Sequence, residues 1–301
     1  IGNLALFVYY LTWVTDFSAI IGNKIAWFKR LGVSIDRMIH LLQESPAEKL
    51  VAYAPVYLRG APPDVPVIQK RPEHALQTLE VKGLTYRFPD SGRGVEDISL
   101  LVRGGEFVVI TGRVGSGKTT LLQALLGLLP PQTGEVYWNG QRVEQPGEFF
   151  VPPRSAYTPQ VPLLFSETLQ DNIMMGLPEE SVDLQGAVHL AVLEKDLQDI
   201  PGGFSAQIGA KGVKLSGGQR QRVAAARMFV QDASLLVFDD ISSALDVETE
   251  HALWENVFAQ SSTTTCLVVS HRRPALRRAD RIIVLKEGRI EAQGKLDKHL
   301  E

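Results

Sequence analysis

The 301 residues include a single cysteine, Cys266. No disulfide can form within the chain, and the apolar neighbours of Cys266 place it in a buried strand where the thiol only packs. Basic excess is missing too: 31 lysines and arginines stand against 34 acids, a formal net charge of -3. Charge therefore favours neither a nucleic-acid surface nor a polybasic membrane patch, and nucleic acid is not expected as a partner. Residues 1–22 hold one charge, Asp16. No basic region precedes that apolar run and no small-residue cleavage site follows it, which argues against a signal peptide. An initiating Met is also lacking, and a chain that begins at Ile1 is read as a fragment. With 45% hydrophobic and 22% charged residues, what remains suffices for one large globular domain plus an attached segment.

The attached segment comes first. Residues 1–22, IGNLALFVYYLTWVTDFSAIIG, span the ~20 apolar residues a helix needs to cross a bilayer. Lys24, Lys29, Arg30 and Arg37 follow, so the positive-inside rule puts the rest of the chain in the cytoplasm. Ile25, Phe28, Leu31, Ile35, Met38, Ile39 and Leu42 recur at helical spacing, which predicts an amphipathic continuation that packs on a partner helix. Asp16 is a candidate for lining a substrate path, or a charge that sits in a wet cavity near the cytoplasmic end. Pro46, Pro55, Pro62, Pro63, Pro66 and Pro72 then block long helices and mark a linker. The expected divisions are a membrane helix with its extension over 1–43, a linker over 44–76 and a domain over 77–301. In that domain β-rich runs at 78–88, 95–102, 107–111, 235–239, 264–270 and 281–286 alternate with helical patterns. The predicted fold class is α/β, with a largely parallel core sheet and an antiparallel section near its start.

Val108, Val109, Ile110 and Thr111 close a buried strand, and Gly112-Arg113-Val114-Gly115-Ser116-Gly117-Lys118-Thr119 follows, opening a helix at Thr120. This is the P-loop pattern between the strand and helix it requires, which a chance glycine-rich turn would lack. Glycines let backbone amides curl round phosphates, and the helix N-terminus adds partial positive charge. Lys118 supplies a full charge, and the Thr119 hydroxyl a magnesium ligand. A nucleotide with Mg2+ is the expected ligand. Residues 235–239, an apolar strand ending in Asp239, supply the acid that a P-loop needs beside its metal. Alone, such an Asp would read as a turn residue or helix cap.

Leu215-Ser216-Gly217-Gly218-Gln219 precedes a helical run. Physically it is a second anion site, with Ser216 placed to cap the helix and Gly217 and Gly218 allowing close approach. The string resembles the signature motif of ABC ATPases. The resemblance implies a P-loop NTPase of the ABC type, with a parallel core sheet flanked by helices, an antiparallel β subdomain and a helical signature-motif subdomain. It also implies that two domains meet head to tail, each signature closing over the ATP held by the other's P-loop.

By the same resemblance Tyr86 is the aromatic that stacks on adenine and Gln160 the glutamine at magnesium and water. Ser242-Ser243-Ala244-Leu245-Asp246 matches the loop that crosses the dimer interface, and His271 the switch histidine near the γ-phosphate. The stretch from Pro162 to Ile173 is similar to the part of exporter-type subunits that meets membrane-helix ends, and residues 2–10 and 37–42 resemble the start and cytoplasmic end of an exporter's sixth helix. The implied protein is an ATPase of a multi-pass cell-membrane transporter whose ATP-binding domain faces the cytoplasm. Its partners are a second ABC subunit, as homodimer or heterodimer, and its own membrane helices. A soluble ABC ATPase of DNA repair or translation is argued against by residues 1–22.

Two departures stand out. The family's catalytic glutamate after the magnesium-binding acid is Asp240 here, one methylene and about 1.5 Å shorter. Its reach to a water is reduced, so hydrolysis at this site is expected to be slow. This supports an alternative in which the chain is the degenerate, nucleotide-holding half of an asymmetric heterodimer. Upstream of the signature, Gly209-Ala210-Lys211-Gly212 replaces the usual Gly-Glu-Arg-Gly and puts coupling through that loop in doubt.

Overall fold

A computed structural model describes residues 2–42, 46–53, 68–209, 213–260 and 264–296. Residues 1 and 43, part of the expected linker (44–45 and 54–67), the Ala210-Lys211-Gly212 departure and residues 261–263 and 297–301 lie outside the described residues. The chain divides into two compact units, 1–65 and 66–301.

The first unit is one helix, α1 (Gly2–Leu41), of 40 residues with no buried side chain, followed by a 3-10 turn at Ala47–Val51. At 1.5 Å per residue α1 is about 60 Å long, twice a hydrocarbon core of ~30 Å, so an apolar span and its amphipathic continuation fit end to end. It is the one described helix long and apolar enough to cross a membrane. Thr12, Thr15 and Ser18 turn their hydroxyls back to carbonyls four residues earlier, at 3.1, 2.8 and 2.8 Å, which satisfies these donors within the helix.

The second unit carries two sheets. β1 (Thr78–Arg87), β2 (Gly94–Arg103), β4 (Thr133–Trp138) and β5 (Gln141–Arg142) form an antiparallel sheet in the order β2-β1-β4-β5. The other sheet has the order β10-β9-β3-β8-β7-β6. It joins β3 (Phe107–Gly112), β6 (Ser155–Thr158), β7 (Leu235–Asp239), β8 (Thr265–Val269) and β9 (Arg281–Lys286) in parallel, with β10 (Arg289–Gly294) antiparallel at the edge. The helices are α2 (Lys118–Leu125), α3 (Pro146–Phe149), α4 (Leu169–Met174), α5 (Leu184–Leu190), α6 (Glu194–Asp199), α7 (Gly217–Phe229), α8 (Val247–Gln260) and α9 (Arg273–Arg278). An α/β fold with a mainly parallel core and an antiparallel section at its start is what the strand runs predicted.

Alternation explains why the central strands read as unbroken apolar runs. Phe107, Val109, Leu236, Phe238, Cys266 and Val268 face one core, while Val108, Ile110, Leu235, Val237, Leu267 and Val269 face the other. Both faces of a parallel sheet are covered, so both sets must be apolar. The end of the expected linker already packs on this unit: Lys70 pairs with Asp232 at 2.8 Å, and His74 and Leu76 are buried. Proline spacing carried no trace of that burial.

Cys266 lies inside β8, and burial pushes its thiol pKa up to about 12. In the folded chain at pH 8 it should be inert to a thiol reagent, since the thiolate is the nucleophile and is scarcely populated so far below that pKa. Titration with such a reagent across a denaturant series should show reactivity rising only with unfolding; fast labelling of the native chain would contradict the packing.

Candidate functional site

In open α/β sheets ligands bind beyond the carboxyl ends of the strands, and here the ends of β3, β8, β7 and β6 lie side by side. β3 runs into Gly112, β7 stops at Asp239, β8 leads to His271 and β6 to Gln160. A cleft of about 600 Å3 opens there, lined by Lys118, Thr119, Gln160, Asp239, Asp240 and His271 together with the loop 112–120 apart from Ser116. Side chains as far apart in sequence as Lys118 and His271 thus line one cleft.

The loop conformation demands its glycines. Gly112 has φ 147° and Gly117 φ 97°, both left-handed; a Cβ at Gly112 would overlap the Leu285 carbonyl oxygen, and one at Gly117 would meet Val95 at 2.9 Å. Lys118 folds back over the loop and donates to the carbonyls of Gly112 at 2.9 Å and Arg113 at 3.0 Å, which holds its charge at the mouth of the loop. Ser116 is buried beneath, its hydroxyl without a partner.

The Thr119 hydroxyl donates to Asp239 Oδ1 at 3.1 Å, and the Tyr157 hydroxyl to Asp239 Oδ2 at 3.3 Å. Burial raises the pKa of Asp239 and, more strongly, that of Tyr157. An oxygen donor set of hydroxyl, carboxylate and amide suits Mg2+, which keeps waters and phosphate oxygens in its shell. Thr119, Asp239 and Gln160 line the cleft beside the loop, a placement that fits an ion shared with phosphates.

Asp240 follows with φ 51°, and burial raises its pKa as well. Its Oδ1 is buried without a hydrogen bond, 3.9 Å from the His271 Nδ1, and its Oδ2 is 3.4 Å from the Gln160 amide nitrogen. His271 is 66% exposed, free to reach into the cleft. The three residues form a polar rim of the cleft that Lys118 also lines.

Tyr86 is placed differently from expectation. It is half-buried against the core and does not line the cleft; Phe88, whose ring meets Tyr86 edge-on at 5.1 Å, does. The strand β1 ends at Arg87, so the aromatic beyond its end, not the one inside it, is free to face the cleft. A strand ending before Phe88-Pro89 was the available signal.

Ser216 to Gln219 stand outside this cleft. Ser216 caps α7 in a capping box: Gln219 N donates to Ser216 Oγ at 3.2 Å and Ser216 N to Gln219 Oε1 at 2.9 Å. Gly218 abuts the carbonyl of Ala244 in the 242–246 loop, where a Cβ would come within 2.9 Å. That loop is a 3-10 turn at Ile241–Ala244, and Asp246 receives the Thr249 amide at 2.8 Å.

Below the cap, α7 reaches three other segments. Gln221 donates to the Gln160 carbonyl at 2.6 Å. Arg222 grips Asp196 of α6 through Nε at 2.6 Å and Nη2 at 2.8 Å, and Gln219 adds a third bond to Asp196 at 3.2 Å. Arg227 binds the Leu163 carbonyl at 3.0 Å and the Asn172 carbonyl at 2.7 Å, ordering the stretch 162–173, whose Leu163 and Phe165 stay exposed. Nothing in the sequence near Asp196, 20 residues upstream of the signature, advertised its contact with Gln219 and Arg222. Arg222→Ala leaves the Asp196 carboxylate buried without a countercharge, with only the Gln219 bond, and should destabilise the chain by about 3–5 kcal/mol. Denaturant unfolding of the variant beside the parent measures it, and an unchanged midpoint would show the pair to be dispensable.

The profile of the ABC transporter family matches residues 95–243. The chain is 37% identical over 237 residues to an ATP-dependent lipid A-core flippase of Alkalilimnicola ehrlichii, covering 78% of this chain and 40% of that protein. It is 28% identical over 296 residues to the uncharacterized ABC transporter ATP-binding protein YfiB of Bacillus subtilis, covering 98% of this chain and 48% of YfiB. The solved structure of a bacterial Atm1-family ABC exporter with ATP bound superposes with a TM-score of 0.67 at 26% identity, over 86% of this chain and 44% of the exporter chain. The chain therefore spans less than half the length of these relatives. By its P-loop, its signature helix and these likenesses, the chain belongs to the ABC transporter family, of which it carries the ATP-binding domain and one apolar N-terminal helix.

Proposed function

We propose that this chain is the ATP-binding and ATP-hydrolysing part of an exporter-type ABC subunit that works as a dimer in a cell membrane. Residues 1–43 would form its last membrane helix and extension, 44–76 the linker, and 77–301 the domain on the cytoplasmic side. The observation that carries the reading is a divided site. One cleft gathers Lys118, Thr119, Gln160, Asp239, Asp240 and His271, while Ser216 and the α7 N-terminus, a second anion-seeking element, lie outside it. A second ABC subunit docked head to tail, identical or not, would bring its own signature to the phosphates held here. Closure would draw membrane helices together through the exposed Leu163 and Phe165, and hydrolysis would let them part.

Within that frame each group has work suited to its chemistry. Loop amides and Lys118 bind and orient the β- and γ-phosphates, and Phe88, backed edge-on by Tyr86, offers its ring to the adenine. Thr119 and Asp239, with Gln160 beside them, would hold magnesium, which supplies charge neutralisation at the phosphates. Asp240 and Gln160 orient a water toward the γ-phosphate, and His271 contacts the same phosphate from the rim.

A second reading rests on Asp240. Its short side chain leaves one oxygen buried without a hydrogen bond and the other 3.4 Å from the Gln160 amide nitrogen. Such a carboxylate activates water poorly, so this site holds nucleotide longer than it turns it over, and a partner with glutamate would do most of the hydrolysis.

Magnesium-dependent phosphate release by the intact subunit in proteoliposomes tests both readings. Lys118→Ala should abolish it, and undiminished turnover would overturn the ATPase assignment. Asp240→Glu should raise turnover and Asp240→Asn should lower it by about tenfold, less than the ~100-fold or more that loss of an efficient general base costs; no gain from the glutamate would count against a slow site. Phe88→Ala should raise KM for ATP several-fold more than Tyr86→Ala does, and the reverse order would return the adenine to Tyr86.

A further inference from the structure

Asp239 is almost wholly buried, and each of its carboxylate oxygens has one hydrogen-bond donor. Oδ1 is met by the Thr119 hydroxyl at 3.1 Å, from the loop that takes the phosphates. Oδ2 is met by the Tyr157 hydroxyl at 3.3 Å, from β6. A short Asp side chain can rotate about two bonds, and two donors on opposite oxygens leave it one orientation. Tyr157 is itself fixed: β6 pairs in parallel with β7, Tyr157 lies opposite Val237, and the ring packs against the core shared by the two sheets. Three residues further on, the Gln160 carbonyl is held at 2.6 Å by Gln221 of α7. The tyrosine therefore stands between the Asp239 carboxylate and Gln160, which lines the cleft and is tethered through its carbonyl to α7.

We infer that Tyr157 is a positioning residue for the magnesium site, holding the Asp239 carboxylate in the orientation that receives the ion and joining it to the strand that carries Gln160. This rests on the reading of the cleft as the nucleotide and magnesium site. Removing the hydroxyl frees one carboxylate oxygen to rotate, so the ion is bound less well, while the loop amides and Lys118 still hold phosphates. Phe at this position keeps the ring and its packing, which separates loss of the hydrogen bond from loss of fold.

The test is equilibrium binding of a fluorescent ATP analogue to the intact subunit in detergent, with saturating Mg2+ and in EDTA, for the parent and for Tyr157→Phe. The parent should bind more tightly with Mg2+, and Tyr157→Phe should lose three- to tenfold of that gain while its affinity in EDTA stays within twofold. Direct titration of Mn2+ in the presence of the analogue, followed by electron paramagnetic resonance, should show the same fall in metal affinity. An unchanged Mg2+ gain in Tyr157→Phe would overturn the inference, as would an equal loss with and without metal, which would make the hydroxyl merely structural. A parent that binds the analogue equally with and without Mg2+ would overturn the reading of the cleft, and the inference with it.

Discussion

Peptide groups in β3, β8 and β7 have no water to turn to, because both faces of these strands are buried and each strand lies between two others. They can be satisfied only by the strands on either side, and that obligation sets the register Phe107↔Cys266 and Leu236↔Cys266 that lines up the three strand ends. Where the apolar runs stop, the chain meets solvent at one edge, and every polar group placed just beyond a strand end falls at the same edge. The cleft is a consequence of that pairing. Lys118, Asp239 and His271 are distant in sequence and need no direct bond to one another, because the backbone ladder has already brought them together.

A second tie runs through α7. Its capped N-terminus presents Ser216, and the same helix holds the Gln160 carbonyl, the Asp196 carboxylate and the backbone of the 162–173 stretch. Bonds to charged groups such as Arg222 to Asp196 are shorter and stronger than neutral ones, so α7 and α6 are expected to move as one body. A shift of α7 would be felt at once at the cleft, through Gln160, and at the exposed Leu163 and Phe165. Coupling between nucleotide and membrane, on the reading offered above, needs an element with that set of contacts.

The aromatic proposed for adenine shows where reading by string goes astray. Tyr86 and Phe88 alternate along one extended segment and are chemically alike, and only the point where β1 stops separates them. Phe88 lies past that point and lines the cleft, while Tyr86, still inside the strand, is committed to packing. Tyr157 is the opposite case, a residue inside the quoted Tyr157-Thr158-Pro159-Gln160 string that acquires a role only because β6 lies beside β7.

Local order along the chain was enough to specify the apolar first helix, the strand and helix around the P-loop, the Ser216 cap and the acids at 239 and 240. In each case the physics is carried by neighbours within a few residues: periodic burial, glycine at left-handed positions, a hydroxyl three residues from an amide. Tertiary structure alone decided the rest. That Asp196 anchors Arg222, that Tyr157 meets Asp239, and that Phe88 and not Tyr86 faces the cleft all depend on which strands and helices lie side by side, and pairing between distant segments leaves no mark in the spacing of either one.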